Sequence, residues 1–224
     1  MHPRNRIRTS DTEPGVDPGL NQALLAGAYG LKWSLPRGAH CPSVPSRTDY
    51  IHHLADLLSG GDDAAIPRGR AVRMIDIGAG SGCVSPLIGA CEYGWSFVAT
   101  DTDKAAMHWA RQIVRVNTSI RSLIEHRFQP HASACFEGVA KQGERFDASL
   151  CVSGGDAEFI ATMIDESAAR PRLCRWFTTL VPKSGDLPRL RQALSRAHAT
   201  DTRVIPLVHD QKKSCILAWT FQGP

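Results

Sequence analysis

Three glycines and one carboxylate have the residue types and spacing to hold a ligand. Gly78, Gly80 and Gly82 follow an apolar run at residues 74–77, and Asp101 comes 23 residues after Gly78. Glycines directly after a buried strand let the backbone approach a ligand closely, and the helix that follows offers its free N–H groups. A carboxylate at the end of the next strand can accept hydrogen bonds from both hydroxyls of a ribose. The pattern therefore predicts a nucleoside-bearing cofactor, with a tight glycine turn that binds nothing as the alternative.

The type of cofactor depends on the residues that flank these glycines. The dinucleotide-binding pattern G-x-G-x-x-G requires glycine at position 83, where this chain has Cys83. Asp76 followed by G-x-G-x-G resembles the first motif of the class I S-adenosylmethionine methyltransferases. The resemblance implies S-adenosyl-L-methionine as the cofactor. A nucleotide-dependent oxidoreductase is the alternative, and a titration with NADH would discriminate between the two.

Strands alternating with helices must position these residues. Apolar runs predict strands at 71–77, 96–100, 123–128, 146–151, 173–181, 203–208 and 214–221. Helical patterns predict helices from Ser46 to the glycines at 60–61 and at 83–92, 103–117, 156–168 and 186–199, with Asp103 capping the third. This alternation predicts an α/β doubly wound, Rossmann-like sheet, and the last two strands form an antiparallel edge.

Length and composition predict one domain with an extension. The chain has 224 residues, of which 42% are hydrophobic and 21% charged, which excludes a wholly disordered protein. We interpret residues 1–46 as a basic arm and irregular extension, with 1–20 extended and 36–46 irregular, and residues 47–224 as the methyltransferase-like domain. The seven scattered cysteines favour free thiols over disulfides or a metal site.

Partners and location follow from charge and hydropathy. The net charge of +4 permits a nucleic acid partner without requiring one. The sequence contains neither a secretory signal nor an apolar run of about 18 residues, so we expect a soluble cytoplasmic protein.

Many short segments also match one family in sequence order. The chain resembles the bacterial ribosomal RNA large subunit methyltransferase F family, which methylates adenine N6 in 23S rRNA. The matching segments are residues 1–6, 29–30, 47–52, 75–78, 92–95, 136–138, 143–147, 176–178, Lys183 and 217–221. The resemblance implies a class I methyltransferase fold, S-adenosyl-L-methionine as cofactor and 23S ribosomal RNA as partner.

The resemblance also implies roles for individual residues. It places cofactor contacts at Arg47, at the loop 78–82 and at Asp101. A guanidinium can pair with the methionine carboxylate of the cofactor in a bidentate manner, although a surface arginine is the alternative for Arg47. Arg4, Arg6 and Arg8 can neutralise RNA phosphates, with a solvated basic tail as the alternative.

One family motif is missing. Members of the family have Asn-Pro-Pro-Phe directly after the fourth strand, where it accepts hydrogen bonds from adenine N6 and stacks on the flipped base. Here the chain continues from Cys151 as Val-Ser-Gly-Gly-Asp, and no Pro-Pro dipeptide occurs anywhere. The catalytic residues are therefore unknown, because the hydroxyl of Ser153 would be a weak substitute. Either the chain is a deletion that transfers methyl groups poorly, or the sequence joins across a segment that was left out.

Overall fold

A seven-stranded sheet forms the centre of the molecule. The computed structural model describes residues 16–60, 65–131, 133–152, 156–209 and 212–223. The strands are β1 Arg73–Ile77, β2 Ser96–Asp101, β3 Ile124–Phe128, β4 Phe146–Leu150, β5 Cys174–Val181, β6 Asp201–His209 and β7 Lys212–Thr220, in the spatial order β3-β2-β1-β4-β5-β7-β6. Strands β1 to β5 run parallel, whereas β7 is antiparallel to β5 and to β6. The predicted doubly wound sheet and its antiparallel edge are confirmed.

Helices cover both faces of this sheet. They are α1 Pro18–Tyr29, α2 Val44–Ser59, α3 Val84–Tyr93, α4 Lys104–Val116, α5 Ala157–Ala169 and α6 Leu187–Arg196. Successive residues of β1 point to opposite faces, as the pleat requires: Met74 packs in the cluster with α1 to α4, and Ile75 packs in the cluster with α5 and α6. Among the described residues, no helix is long and apolar enough to cross a membrane.

The start of α2 differs from the prediction. Ser43, not Ser46, is the N-cap, and its hydroxyl accepts a hydrogen bond from the Ser46 N–H at 3.3 Å. Pro45 occupies the first turn, where an amide N–H has no helical acceptor and the fixed φ of proline suits the helix. The prediction of irregular chain to residue 46 was therefore wrong for its last three residues.

Helix α1 was missed by the sequence analysis. Residues 18–20 were predicted to be extended, yet they form its first turn, and the Asp17 carboxylate caps it by accepting the Gly19 N–H at 2.8 Å. Leu25 from this helix and Trp33 from the segment that follows are buried in the same core cluster as Met74 of β1. The boundary between residues 46 and 47 stays a prediction, although residues on both sides of it share one core.

Candidate cofactor site

A cavity of about 980 Å³ opens at the carboxyl edge of the parallel strands. Its walls come from the glycine loop, the start of α2, the start of α4 and the segment 36–42. All six residues predicted to bind the cofactor line this cavity: Arg47, Asp76, Gly78, Gly80, Gly82 and Asp101. The cofactor contacts themselves stay predictions, but the structure brings the six residues to one place.

The glycine loop is tied to the end of β2 by its backbone. The N–H groups of Gly78 and Ala79 both donate to the Thr100 carbonyl, at 3.0 and 2.9 Å. Gly78 and Gly80 have φ values of 74° and 66°, a left-handed conformation that a residue with a Cβ adopts only with strain. Glycine is therefore required at these two positions for the loop to turn over the strand end.

Asp101 is the last residue of β2 and holds the glycine loop from the side. One of its carboxylate oxygens accepts the Gly80 N–H at 2.8 Å and the other accepts the Asp103 N–H at 2.9 Å. A carboxylate oxygen can accept more than one hydrogen bond, so both oxygens keep capacity for a ligand hydroxyl. Asp103 in turn caps α4 by accepting the Ala105 N–H at 2.7 Å, which confirms its predicted role.

Asp76 is the buried carboxyl group of the site. Its side chain is almost fully buried, and this burial raises the pKa of the carboxyl to about 7. The Arg47 guanidinium lowers the pKa, and the Asp101 carboxylate raises it to a smaller extent. A cationic group in the cavity would act in the same direction as Arg47 and favour the ionised form of Asp76.

Cys83 and His126 lie behind the loop as an uncharged pair. Cys83 has a φ of 49° at the N-cap of α3, and its Sγ lies 3.8 Å from Nε2 of His126. Burial raises the pKa of the Cys83 thiol well above its usual value, and burial together with Arg111 lowers the pKa of His126 to about 4. Both groups are neutral near pH 7, so the thiol has no thiolate character for nucleophilic chemistry.

Helix α2 is fixed at its Arg47 end by a buried chain of hydroxyl groups. The Tyr50 hydroxyl lies 2.8 Å from Oγ1 of Thr178 on β5, and Thr178 donates to the Ser149 carbonyl of β4 at 2.7 Å. Tyr50 follows Arg47 by about one helical turn, so these bonds attach the part of α2 that carries Arg47 to β4 and β5.

The segment 36–42 is the wall that sequence analysis missed. Trp33 donates its indole N–H to the Gly82 carbonyl, and Trp109 of α4 donates to the Ser34 carbonyl, both at 2.8 Å. These bonds hold the segment against the loop, so that its residues line the cavity: Pro36, Arg37, Gly38, Ala39, His40 and Pro42. The three prolines between residues 36 and 46 predicted irregular backbone, but no local pattern indicated where that backbone would lie.

The described chain stops two residues after β4. Cys151 donates its N–H to the Thr178 carbonyl, and its own carbonyl accepts the Leu180 N–H at 2.9 Å and the Thr179 hydroxyl at 3.3 Å. Val152 lines the cavity, and the description resumes at Asp156, which caps α5. Ser153 and the predicted RNA-binding residues Arg4, Arg6 and Arg8 lie outside the described residues.

Comparison with known proteins identifies relatives over most of the chain. A family model described as RNA methyltransferase matches residues 1–153 and 152–223. Ribosomal RNA large subunit methyltransferase F from Yersinia enterocolitica is 34% identical over 249 residues, which cover 92% of this chain and 74% of the relative. The protein of the same name from Dechloromonas aromatica is 36% identical over 257 residues, covering 94% and 76% respectively.

Solved structures of one further methyltransferase share the fold. The N-terminal domain of human METTL16 in complex with SAH has a TM-score of 0.82 and 28% identity, covering 92% of this chain and 82% of that domain. The delta-N METTL16 methyltransferase domain has a TM-score of 0.81 and 27% identity, covering 92% and 96%.

The comparisons also show that the relative contains residues that this chain lacks. Since 92% of 224 residues is about 206, about 43 of the 249 aligned positions of the Yersinia comparison have no residue of this chain. The two parts of the family match meet at residues 152–153, directly after β4. This is where the sequence lacks Asn-Pro-Pro-Phe.

Proposed function

The chain belongs to the RNA methyltransferase family, and we propose that it transfers the methyl group of S-adenosyl-L-methionine to an adenine N6 of 23S rRNA. The observation that carries the proposal is the single cavity that brings the glycine loop, Asp101 and Arg47 together at the carboxyl edge of the sheet. The names of its bacterial relatives support ribosomal RNA as the substrate. With this substrate the protein would act in the cytoplasm.

The residues of the cavity fit the cofactor. A volume of about 980 Å³ suits a ligand of nucleoside and amino-acid size. Asp101 would accept hydrogen bonds from the ribose hydroxyls, and Arg47 would pair with the methionine carboxylate. The buried Asp76 would face the cofactor's ammonium group, whose charge offsets the cost of ionising a buried carboxylate. When bound, the cofactor supplies an electrophilic methyl group.

Methylation of N6 needs hydrogen-bond acceptors beside the cavity. The lone pair of N6 is delocalised into the adenine ring, so the amino group must be oriented by acceptors before it attacks a methyl group. The carbonyl of Cys151 already accepts hydrogen bonds from Leu180 and Thr179. The resemblance places such acceptors in the Asn-Pro-Pro-Phe segment after the fourth strand, which this chain lacks.

A second candidate function follows from this absence. The chain as written would bind the cofactor and RNA, yet transfer methyl groups far more slowly than a relative that contains Asn-Pro-Pro-Phe. Orientation of reacting groups supplies roughly 7–11 kcal/mol of barrier reduction in favourable cases, so its partial loss can cost several kcal/mol.

One experiment tests both candidates. Transfer of tritiated methyl groups to 23S rRNA that lacks its modifications is measured for this chain and for a variant with Asn-Pro-Pro-Phe and its loop inserted after Cys151. Label released as N6-methyladenosine supports the first proposal, and a much faster variant supports the second. Equal rates would show that a residue of this chain orients the adenine, and transfer to another atom would refute N6 specificity.

Cofactor binding is tested separately by calorimetry. We expect heat from S-adenosylmethionine and from S-adenosylhomocysteine, and none from NADH. Saturable NADH binding without binding of the other two ligands would contradict the proposal.

A further inference from the structure

Six arginines lie along the amino edge of the sheet, on the side opposite the cofactor cavity. Each lies shortly before the start of one of the parallel strands or within its first two residues: Arg121 before β3, Arg70 and Arg73 at β1, Arg145 before β4, and Arg172 and Arg175 at β5. Five of the six side chains are exposed, and that of Arg73 is 40% exposed. These residues are called the edge arginines below.

The order of the strands places the edge arginines in a row. Neighbouring strands lie about 4.8 Å apart, so the four spacings from β3 to β5 extend over roughly 19 Å. Two hydrogen bonds link neighbouring parts of the row: Arg70 donates to the Ser122 carbonyl at 3.0 Å, and Arg73 donates to the Arg145 carbonyl at 3.2 Å. A row of this length exceeds the size of one phosphate group.

Within the described residues, most of the edge arginines have no carboxylate partner. Among the described residues, Arg73 is the one edge arginine that forms an ion pair, with Glu144 at 2.7 Å. The other oxygen of Glu144 is taken by Arg127 at 2.6 Å. Asp147 uses one oxygen to accept the Arg73 N–H at 2.8 Å. The remaining five guanidinium groups carry charge without a carboxylate partner in the described part of the chain.

A groove of about 490 Å³ lies within the row. It is lined by Arg73, Arg145, Arg172 and Arg175 together with Asp147 and the ring of Phe146. The guanidinium of Arg73 lies 4.9 Å from the centre of the Phe146 ring, within the distance of a cation–π contact. Planar guanidinium groups that face one groove can bind phosphate oxygens in pairs.

From this geometry we propose that the edge arginines form a second RNA-binding surface that contacts backbone phosphates, away from the site of methyl transfer. The inference takes its partner from the proposed function. Contacts to backbone phosphates do not distinguish one RNA sequence from another. Such contacts would increase the affinity for RNA and fix the orientation of the protein on it. A long folded RNA can contact both edges of the sheet because the parallel strands are only five to eight residues long.

Two triple variants of equal charge test the proposal. The edge variant is Arg145→Ala, Arg172→Ala and Arg175→Ala, and the control is Arg189→Ala, Arg191→Ala and Arg196→Ala on α6. Affinity is measured at several salt concentrations for an unmodified 23S rRNA transcript and for an unrelated folded RNA of similar length. We expect the edge variant to bind both RNAs roughly 10- to 100-fold more weakly and the salt slope to fall by about 2, since each phosphate contact contributes about 0.7–0.9. The control should change affinity by less than about threefold.

Three results would overturn the inference. Equal weakening by both variants would show that net charge matters and location does not, and unchanged affinity of the edge variant would show that RNA does not contact this surface. Saturable binding of one inorganic phosphate at constant ionic strength, with unchanged RNA affinity, would assign the groove to a small anion.

Two further measurements keep the test decisive. Calorimetry with S-adenosylhomocysteine should give the same affinity for the edge variant as for the parent, which shows that the fold is intact. If that affinity falls, photo-cross-linking of 4-thiouridine RNA to the parent protein decides: cross-linked peptides from 141–147 or 170–176 support the surface, and cross-links confined to other segments refute it.

The outcomes also separate this inference from the proposed function. If RNA binds at this edge but no methyl group is transferred, the proposed function alone is refuted. If the parent protein methylates RNA and the edge variant binds RNA as tightly as the parent, this inference alone is refuted.

Discussion

Asp101 makes the most direct prediction about cofactor binding. Its two carboxylate oxygens accept the Gly80 and Asp103 N–H groups at 2.8 and 2.9 Å, and both keep lone pairs that face the cavity. Replacement by alanine would remove a charged acceptor from the ribose and one of the bonds that shape the glycine loop. A hydrogen bond to a charged group contributes about 1.5–3 kcal/mol, which corresponds to roughly 10- to 150-fold in affinity.

The assay is calorimetric titration of S-adenosylhomocysteine into Asp101→Ala, with Asp103→Ala as the matched control. Asp103 lies two residues away and also lines the cavity, but its carboxylate is used to cap α4. We expect the control to lose about 1 kcal/mol of stability with cofactor affinity reduced by less than about threefold. Equal losses of affinity in the two variants, or no loss in Asp101→Ala, would refute the assignment of Asp101 to the ribose.

Three other predictions concern cofactor binding and the stability of the fold. Arg47→Lys should weaken cofactor binding because an ammonium cannot reproduce the planar bidentate contact, and Arg47→Ala with parental affinity would make Arg47 a surface residue only. Trp33→Phe should weaken cofactor binding because the Gly82 carbonyl of the glycine loop loses its indole donor. Trp95→Phe loses a similar hydrogen bond at 2.8 Å, but remote from the cavity, and should lower stability alone. Equal cofactor affinities of the Trp33 and Trp95 variants would contradict this prediction. Glu144→Gln should lower the free energy of unfolding in urea by roughly 2–3 kcal/mol at pH 7, against less than about 1 for the exposed Glu125→Gln. Since two arginines lower the folded-state pKa of Glu144 to about 2 from an ordinary 4.5, this contribution is complete above pH 4.5 and is lost as the pH falls toward 2, so a difference that persists undiminished at pH 2 would refute it.

Sequence alone was sufficient for features that depend on a few consecutive residues. The glycine loop could be predicted because Gly78 and Gly80 must adopt positive φ directly after a buried strand. Asp103 was identified as a cap because a short acidic side chain before an amphipathic helix satisfies free N–H groups. Because parallel strands end at the same edge of a sheet, Asp101 at the end of the next strand could also be expected near the loop.

The start of α2 and the whole of α1 show where local patterns were ambiguous. Ser43 and Ser46 can both cap a helix, and what separates them is whether Pro45 is accommodated inside the first turn. The Asp17-Pro18 pair is a helix start of the same kind, but the glycines and prolines around it favour a loop equally well. Packing of Leu25 in the core stabilises the helical form of this segment, and that packing exists only in the folded chain.

Tertiary structure alone decided which distant residues share a site. Nothing in the sequence links Trp33 to Gly82, or Trp109 to Ser34, yet these contacts turn segment 36–42 into a wall of the cavity. The edge arginines likewise come from four strand starts between residues 70 and 175, and the spatial order β3-β2-β1-β4-β5 brings these distant residues into a row. Local sequence fixes backbone conformation through sterics and capping, whereas proximity across the chain depends on how the strands pair and which faces become buried.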